Sequence, residues 1–274
     1  MKRRNLWIGI VLVGLNAVVA LLTLVWLPYD PSEMAGGRLS PPSWMHPAGT
    51  DRLGRDYLTQ VMIGARIAMT VGIGAVLLGG LIGTTLGVLA AYARRGLDDA
   101  LAATLDILIA FPTLLLAMLV VAASEGASLW TAILAIGFAM SAVVARLVRI
   151  LTKRVLAQEY ITAARCSGLS WAKITRTHVL PNIMPTVLVI LALQFGIAVI
   201  AEASLSYLGL GTPPPNASWG QLLQQAQSTV FRAPMGVIAP GLALVSLVLG
   251  INFLADGLRD LLDAEPEGAE EATT

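Results

Sequence analysis

Six stretches of this chain stay apolar for about 20 residues or more, the length of helix that crosses a hydrocarbon core of about 30 Å. Their limits read Leu6–Leu27, Met69–Tyr92, Ala100–Ala123, Leu129–Ile150, Pro185–Leu205 and Pro234–Ala255. A bilayer interior offers no water to an unpaired peptide group, so each spanning run must close its hydrogen bonds as a helix or in a barrel. The alternating pattern of a barrel is missing. The expected fold is all-α: a polytopic membrane protein with six transmembrane helices. Charged residues make up 13% of the 274, against roughly 25% in a soluble domain. The opening Met1-Lys2-Arg3-Arg4 before an apolar run has the form of a signal peptide. The run extends over about 22 residues, or ~33 Å of helix, and ends in Val25-Trp26-Leu27-Pro28 without a small-residue cleavage site. It reads as an uncleaved first span.

Lys and Arg set the orientation of such a protein, because they stay with the cytoplasm. With the N-terminus inside, the inner segments hold 13 of the 18 Lys and Arg residues. The outer segments hold Arg38, Arg52, Arg55, Arg66 and Arg232. Both termini are therefore expected in the cytoplasm. A net charge of +1 gives no reason to expect nucleic acid as a partner. Cys166 is the single cysteine, so the chain forms no internal disulfide; a plain small residue is favoured there over a functional thiol. No cluster of His and Cys suggests a metal, and His46 and His178 fall on opposite sides of the membrane. The three lysines, Lys2, Lys153 and Lys173, do not follow glycines, and no phosphate-cradling G-x-x-x-x-G-K-[ST] occurs. No nucleophile–base pair or paired carboxylates stand out. The chain reads as a non-enzyme.

The longest polar, cationic interruption between apolar blocks runs from Gln158 to Pro181. Glu159 to Cys166 reads as a short helix. Gly168 then offers a turn, because a residue without Cβ takes positive φ cheaply. Ser170 can cap a second helix from Trp171 to His178, which Leu180-Pro181 ends. Two short helices bent at a glycine make a knob suited to a groove on another protein. By spacing alone, an ordinary cytoplasmic loop fits equally well. Ala163-Ala164, Gly168 and Leu180-Pro181 resemble the EAA loop of ABC-importer permeases, the segment that couples the membrane domain to its ATPase. Thr162 stands where that motif usually starts with Glu, with Glu159 one turn earlier, and His178 stands where Ile is frequent. The resemblance implies ATPase coupling through Glu159, Thr162, Ala163, Ala164, Gly168, Trp171, Leu180 and Pro181.

The first outer segment carries His46-Pro47-Ala48-Gly49-Thr50-Asp51-Arg52-Leu53-Gly54-Arg55-Asp56. On physical grounds it is a folded loop, with Asp51, Arg52, Arg55 and Asp56 placed for an ion-pair network around a turn at Gly54. After the fifth span come Ala201-Glu202-Ala203-Ser204-Leu205-Ser206-Tyr207-Leu208-Gly209-Leu210-Gly211, three prolines, and Ser218-Trp219-Gly220. Trp219 suits the membrane interface. Glu202 could touch substrate or pin Ser206 or a backbone amide, and pinning is favoured. Both blocks resemble signatures of the C-type permease subunit in the dipeptide, oligopeptide and nickel branch of ABC importers. The resemblance implies the type I importer permease fold. It also implies binding-protein or outer-gate roles for His46, Asp51, Arg55, Asp56, Glu202 and Trp219.

Three features of the spans invite expectations of their own. Gly79, Gly83 and Gly87 form a ridge that admits another helix closely, and packing within the subunit is favoured over a dimer face. Pro112 should kink the third span, where Asp106 is more plausibly structural than proton-coupling. Arg146, Arg149, Lys153 and Arg154 leave the bilayer as a basic stripe for headgroups, for the ATPase, or for both.

The resemblance implies a division into 1–68, an N-terminal span with a long extracytoplasmic segment, and 69–264, the core permease domain with its coupling loop at 158–181. An acidic tail at 265–274 is expected to be disordered. The implied assembly sits in a bacterial inner membrane. It has a homologous second permease as heterodimer partner, two ATPase subunits binding ATP and Mg, and an extracytoplasmic binding protein. No cofactor is implied in this chain. The cargo would be di- or oligopeptides, or alternatively nickel or a metal chelate. A proton-coupled secondary carrier is the competing class.

Overall fold

The computed structural model describes residues 2–262 apart from 125, 214 and 215. The acidic tail expected at 265–274 lies outside these residues. In chain order the helices are α1 (Lys2–Leu22), α2 (Tyr57–Ala91), α3 (Arg95–Ala110), α4 (Thr113–Ala123), α5 (Leu129–Leu156), α6 (Glu159–Cys166), α7 (Trp171–Ile174), α8 (Leu180–Tyr207), α9 (Trp219–Ala226) and α10 (Met235–Leu262). Five of them are long and apolar enough to cross a membrane, and α3 with α4 makes a sixth if that bent pair counts as one span. Among the described residues there is no β-strand, only an isolated bridge between Thr50 and Asp56.

The centre of the bundle is where α2, α5 and α8 meet. Ile63, Ile67, Val71 and Ala75 pack against Ile133, Ile136, Met140, Ala198 and Leu205. The glycine ridge makes this possible within the one subunit. A Cβ at Gly83 would lie 2.7 Å from the Ser141 carbonyl oxygen and 2.6 Å from the Val144 Cβ of α5. A Cβ at Gly79 would meet the Gly137 carbonyl at 2.7 Å, and one at Gly87 the Ala145 carbonyl at 2.5 Å. Two helix backbones approach this closely only where side chains are absent.

Helices α1 and α10 run antiparallel: Gly257 lies against Leu6, and Gly250 against Leu12 and Val13. The start of the first helix and the end of the last therefore lie on one face of the bundle. The α6–α7 knob sits on that same face, because Tyr92 after α2 touches Trp171 and Thr175. The other end of α2 begins at Tyr57, beside Gly236 at the start of α10.

All six spans depart from their expected limits, α1 ending at Leu22, α5 running to Leu156 and α10 to Leu262, and three depart in ways that change the architecture. Helix α2 begins at Tyr57 rather than Met69 and covers 35 residues, about 52 Å. Its polar first turns are no obstacle, because Thr59 and Gln60 are buried and Gln60 Nε2 donates to the Pro31 carbonyl at 2.8 Å. The boundary expected between 68 and 69 falls inside this helix, so no break separates the outer segment from the core there. The third span does not merely kink at Pro112: α3 and α4 are bent by 89°. Proline pushes its predecessor out of the helical region. Phe111 is extended at φ −75°, ψ 129°, and Pro112 follows at φ −54°, ψ 126°.

The fifth span starts neither at Pro185 nor after a break at Pro181. Pro181 lies in the first turn of α8 and Pro185 inside it. Helix α7 runs into α8 through a π-helical turn, Thr175–Val179, making one rod from Trp171 to Tyr207. The wider turn lets Leu180 N–H reach the Thr175 carbonyl, while Asn182 Nδ2 covers the His178 carbonyl at 2.6 Å. The register shift absorbs a proline that would otherwise interrupt an α-helical ladder.

Candidate functional site

The knob is built as its residues foretell up to Ser170. Glu159 opens α6, an acid in the first turn where the helix dipole favours it. Gly168 ends α6 with φ +82°. Its N–H donates to the Arg165 carbonyl at 2.9 Å, and Leu169 N–H to the Ala164 carbonyl at 3.2 Å. This crossed pair is the Schellman closure, which needs a left-handed residue at the glycine position. Ser170 caps α7, its Oγ accepting from Lys173 N–H at 3.4 Å.

Packing of the knob comes from residues that its spacing did not single out. Ile161, Ile174 and Val179 are buried against Val144 and Val148 of α5 and Ile183 and Val187 of α8. Ala164 and Leu169 pack at the edge of this cluster, whereas Ala163 is exposed and contributes no core. Period-based reading could have found Ile161 and Ile174 as the apolar positions facing inward from each helix. Outward lie Glu159, Thr162, Ala163, Arg165, Cys166, Gly168, Trp171, Lys173 and Arg176, all exposed. The Arg165 guanidinium stands 4.3 Å from the Trp171 ring centroid, a cation–π stack. Tyr92 meets the same ring edge-on at 5.0 Å, and its hydroxyl bonds Thr175 Oγ1 at 2.8 Å. The knob is thus tied to the end of α2 as well as continuous with α8. Leu180 and Pro181 belong to the rod and form no part of the exposed bend.

The basic stripe on α5 has partners that the spacing did not suggest. Asp98 of α3 is buried and accepts from Arg149 Nη2 at 2.6 Å and from Lys153 Nζ. Asp106 pairs with Arg146 at 3.1 Å, both half-exposed. These charges hold α3 against α5; Arg146 and Arg154 are the exposed members of the stripe, and Arg154 makes no ion pair among the described residues.

On the opposite face the His46–Asp56 segment folds into a cap on α2. Asp56 Oδ2 accepts from Thr59 N–H at 2.7 Å and Thr59 Oγ1 at 2.9 Å, the N-cap of the helix. Asp56 Oδ1 takes His46 Nδ1 at 3.0 Å. Asp51 accepts from Leu53 N–H at 2.7 Å, Arg55 N–H at 2.9 Å and Arg55 Nε at 2.7 Å. The expected single network is therefore two: Asp51 with Arg55, and Asp56 with His46. Arg52 joins neither and is exposed. Asp56→Ala should lose about 1–3 kcal/mol of stability, because it removes a helix cap and leaves His46 buried without its partner. Thermal unfolding in detergent, with Arg38→Ala as the surface control, measures the difference.

Trp219 faces the protein interior. It is 1% exposed, lies over Gly64 of α2 and donates Nε1–H to the Val61 carbonyl at 2.9 Å. Helix α9 turns it inward, where Ala65, Phe195, Leu222 and Leu247 surround it. Glu202 is 2% exposed, and Ser206 Oγ donates to it at 2.7 Å, the pinning arrangement. His46, Asp51, Asp56, Glu202 and Trp219 are all buried, so they support the surface opposite the knob from beneath.

A bundle of helices long and apolar enough to cross a membrane, with an exposed helical knob on one face and a tightly bonded cap on the other, defines a multi-pass membrane protein. The chain belongs to the family described as binding-protein-dependent transport system inner membrane component, which matches residues 83–266. A putative peptide transport system permease protein of Brucella suis is 38% identical over 96% of this chain and 88% of its own length. The dipeptide transport system permease protein DppC of Alkalihalophilus pseudofirmus is 39% identical over 82% of this chain and 74% of its own. The glutathione transport system permease protein GsiD of Pectobacterium atrosepticum is 38% identical over 91% and 85%. Among solved structures, an inward-facing form of the MetNI methionine ABC transporter matches with a TM-score of 0.64 at 21% identity. It covers 74% of this chain and 97% of that one, and shows the shared importer permease fold.

Proposed function

We propose that this chain is one of two permease subunits of an ATP-driven peptide importer in a bacterial inner membrane. It lines the path for di- and oligopeptides handed over by an extracytoplasmic binding protein. The second permease is a homologue, giving a heterodimer. Two ATPase subunits bind ATP and Mg and receive the α6–α7 knob, through Glu159, Thr162, Ala163, Gly168 and Trp171, in a surface cleft. The chain holds no cofactor of its own. Both termini are cytoplasmic, on the face that carries the knob. Residues 1–68 and 69–264 remain the proposed functional division, despite the helix that joins them.

The observation that carries this reading is mechanical. The knob is exposed, packed on α5 and α8, and continuous with a rod that crosses the bundle. A displacement of the knob is delivered to the outer end of α8 without a flexible joint to absorb it. Relatives named for peptide, dipeptide and glutathione transport favour that cargo over nickel. A proton-coupled carrier would use ionisable groups buried in the path. Asp106 is instead half-exposed and paired with Arg146, and Glu202 is held by Ser206. Uptake of a labelled dipeptide into vesicles tests the reading. Replacing the partner ATPase's phosphate-binding lysine should abolish it. Uptake that survives this change and stops when the proton gradient is collapsed would overturn the proposal.

A further inference from the structure

The cap and helix α9 enclose a polar cleft of about 420 Å³ on the outer face. Arg52, Arg55 and Tyr57 form one wall, and Gln224, Gln225 and Ser228 the other. Arg55 already spends Nε on Asp51, which leaves its terminal amino groups for a further acceptor. Arg52 is exposed, and no acidic side chain among the described residues lies within 4 Å of it. Two guanidinium groups set against one carboxylate leave the cleft one positive charge in excess. The glutamine amides opposite add donors. Leu53, 47% exposed, gives it one apolar lip.

We infer that this cleft receives an acidic side chain of the extracytoplasmic binding protein, an inference that rests on the importer reading above. The chemistry is that of carboxylate recognition, in which a planar guanidinium supplies paired donors. The position favours a docking partner over free cargo. The cleft opens at the surface, where Arg52, Leu53, Gln224, Gln227 and Ser228 are exposed, and the family is defined by dependence on a binding protein. Its two walls belong to segments distant in sequence, so an anion held by both clamps the cap to α9. Helix α9 lies directly against α8, with Gly220 on the Ala203 carbonyl, and α8 continues to the knob. Docking at the cleft is thereby joined to the coupling surface by a single rod.

The test uses the assembled importer in vesicles and the cognate binding protein, fluorescently labelled. Arg52→Glu should weaken its binding about tenfold at low ionic strength. The loss should shrink to about twofold at high salt, because exposed charges are screened beyond a few Å there. Gln224→Glu, on the opposite wall, should act in the same direction. A photoreactive phenylalanine at Gln225 should crosslink to the binding protein. Unchanged affinity in both charge variants, or crosslinking only to another membrane subunit, overturns the inference. So does saturable binding of free labelled dipeptide to the importer in the absence of binding protein that Arg52→Glu abolishes, which would make the cleft a substrate subsite. ATP-dependent uptake by the unaltered chain is scored separately, so failure here leaves the importer reading standing, and failure there is visible by itself.

Discussion

Gly168→Pro should reduce substrate uptake and transport-linked ATP hydrolysis by at least about tenfold while the chain remains in the membrane. The glycine holds φ +82°, and proline is fixed near −65°. Proline also lacks the N–H that closes the turn on the Arg165 carbonyl. The spans are untouched, so insertion should proceed, while α6 loses its fixed angle to α7. A graded series separates backbone geometry from crowding, because a Cβ at this position meets no atom within 4 Å. Alanine should cost only the left-handed penalty, about 1–2 kcal/mol locally. Asparagine tolerates that conformation best among residues with side chains and should transport nearly normally. Immunoblotting of membranes and binding-protein-stimulated ATP hydrolysis are the two readings. A proline variant that hydrolyses ATP as the asparagine variant does would remove the bend from the mechanism.

Gly83→Val should act on the bundle itself. Its new Cβ would fall 2.7 Å from a backbone oxygen of α5 and 2.6 Å from the Val144 Cβ. Neither atom is the free end of a flexible chain, so α2 and α5 must separate. Overpacking of this kind costs about 1–3 kcal/mol, and the rigid backbone contact puts this case at the upper end. The expected result is a lower unfolding temperature in detergent and several-fold less protein in the membrane. Gly241→Ala in α10, where a Cβ meets nothing within 4 Å, should show neither effect. Equal behaviour of the two variants would mean that α2 and α5 are not in backbone contact in the membrane.

Much of the knob was readable because its determinants are local. A helix from Glu159 to Cys166, a left-handed glycine and a serine cap each follow from one or two adjacent residues, and each is found where expected. The continuation past Pro181 was not readable. A proline after Leu180 signals a stop, and only a π turn with the Asn182 amide over a carbonyl lets the helix run on. Pro112 failed in the other direction: α3 and α4 part at nearly a right angle, with α3 held to α5 by Asp98 and Asp106. The outer cap was foreseen as a folded loop, but not the division of its charges. Asp56 serves His46 and the N-terminus of α2, which leaves Arg52 outward.

The linear chain by itself determined that the apolar runs are helices, the all-helical class and the site of the bend, though not where the spans begin, end or break. Hydropathy, peptide hydrogen bonding and φ preference act over a few neighbouring residues and need no knowledge of the rest. Tertiary structure alone decided which distant groups are used up by one another. It buried Trp219 over Gly64 and set Asp98 between Arg149 and Lys153. It joined the knob to α8, and it brought the cap and α9 together around a cleft. Such pairings depend on where helices cross, and a crossing is set by the shapes of two surfaces far apart in sequence.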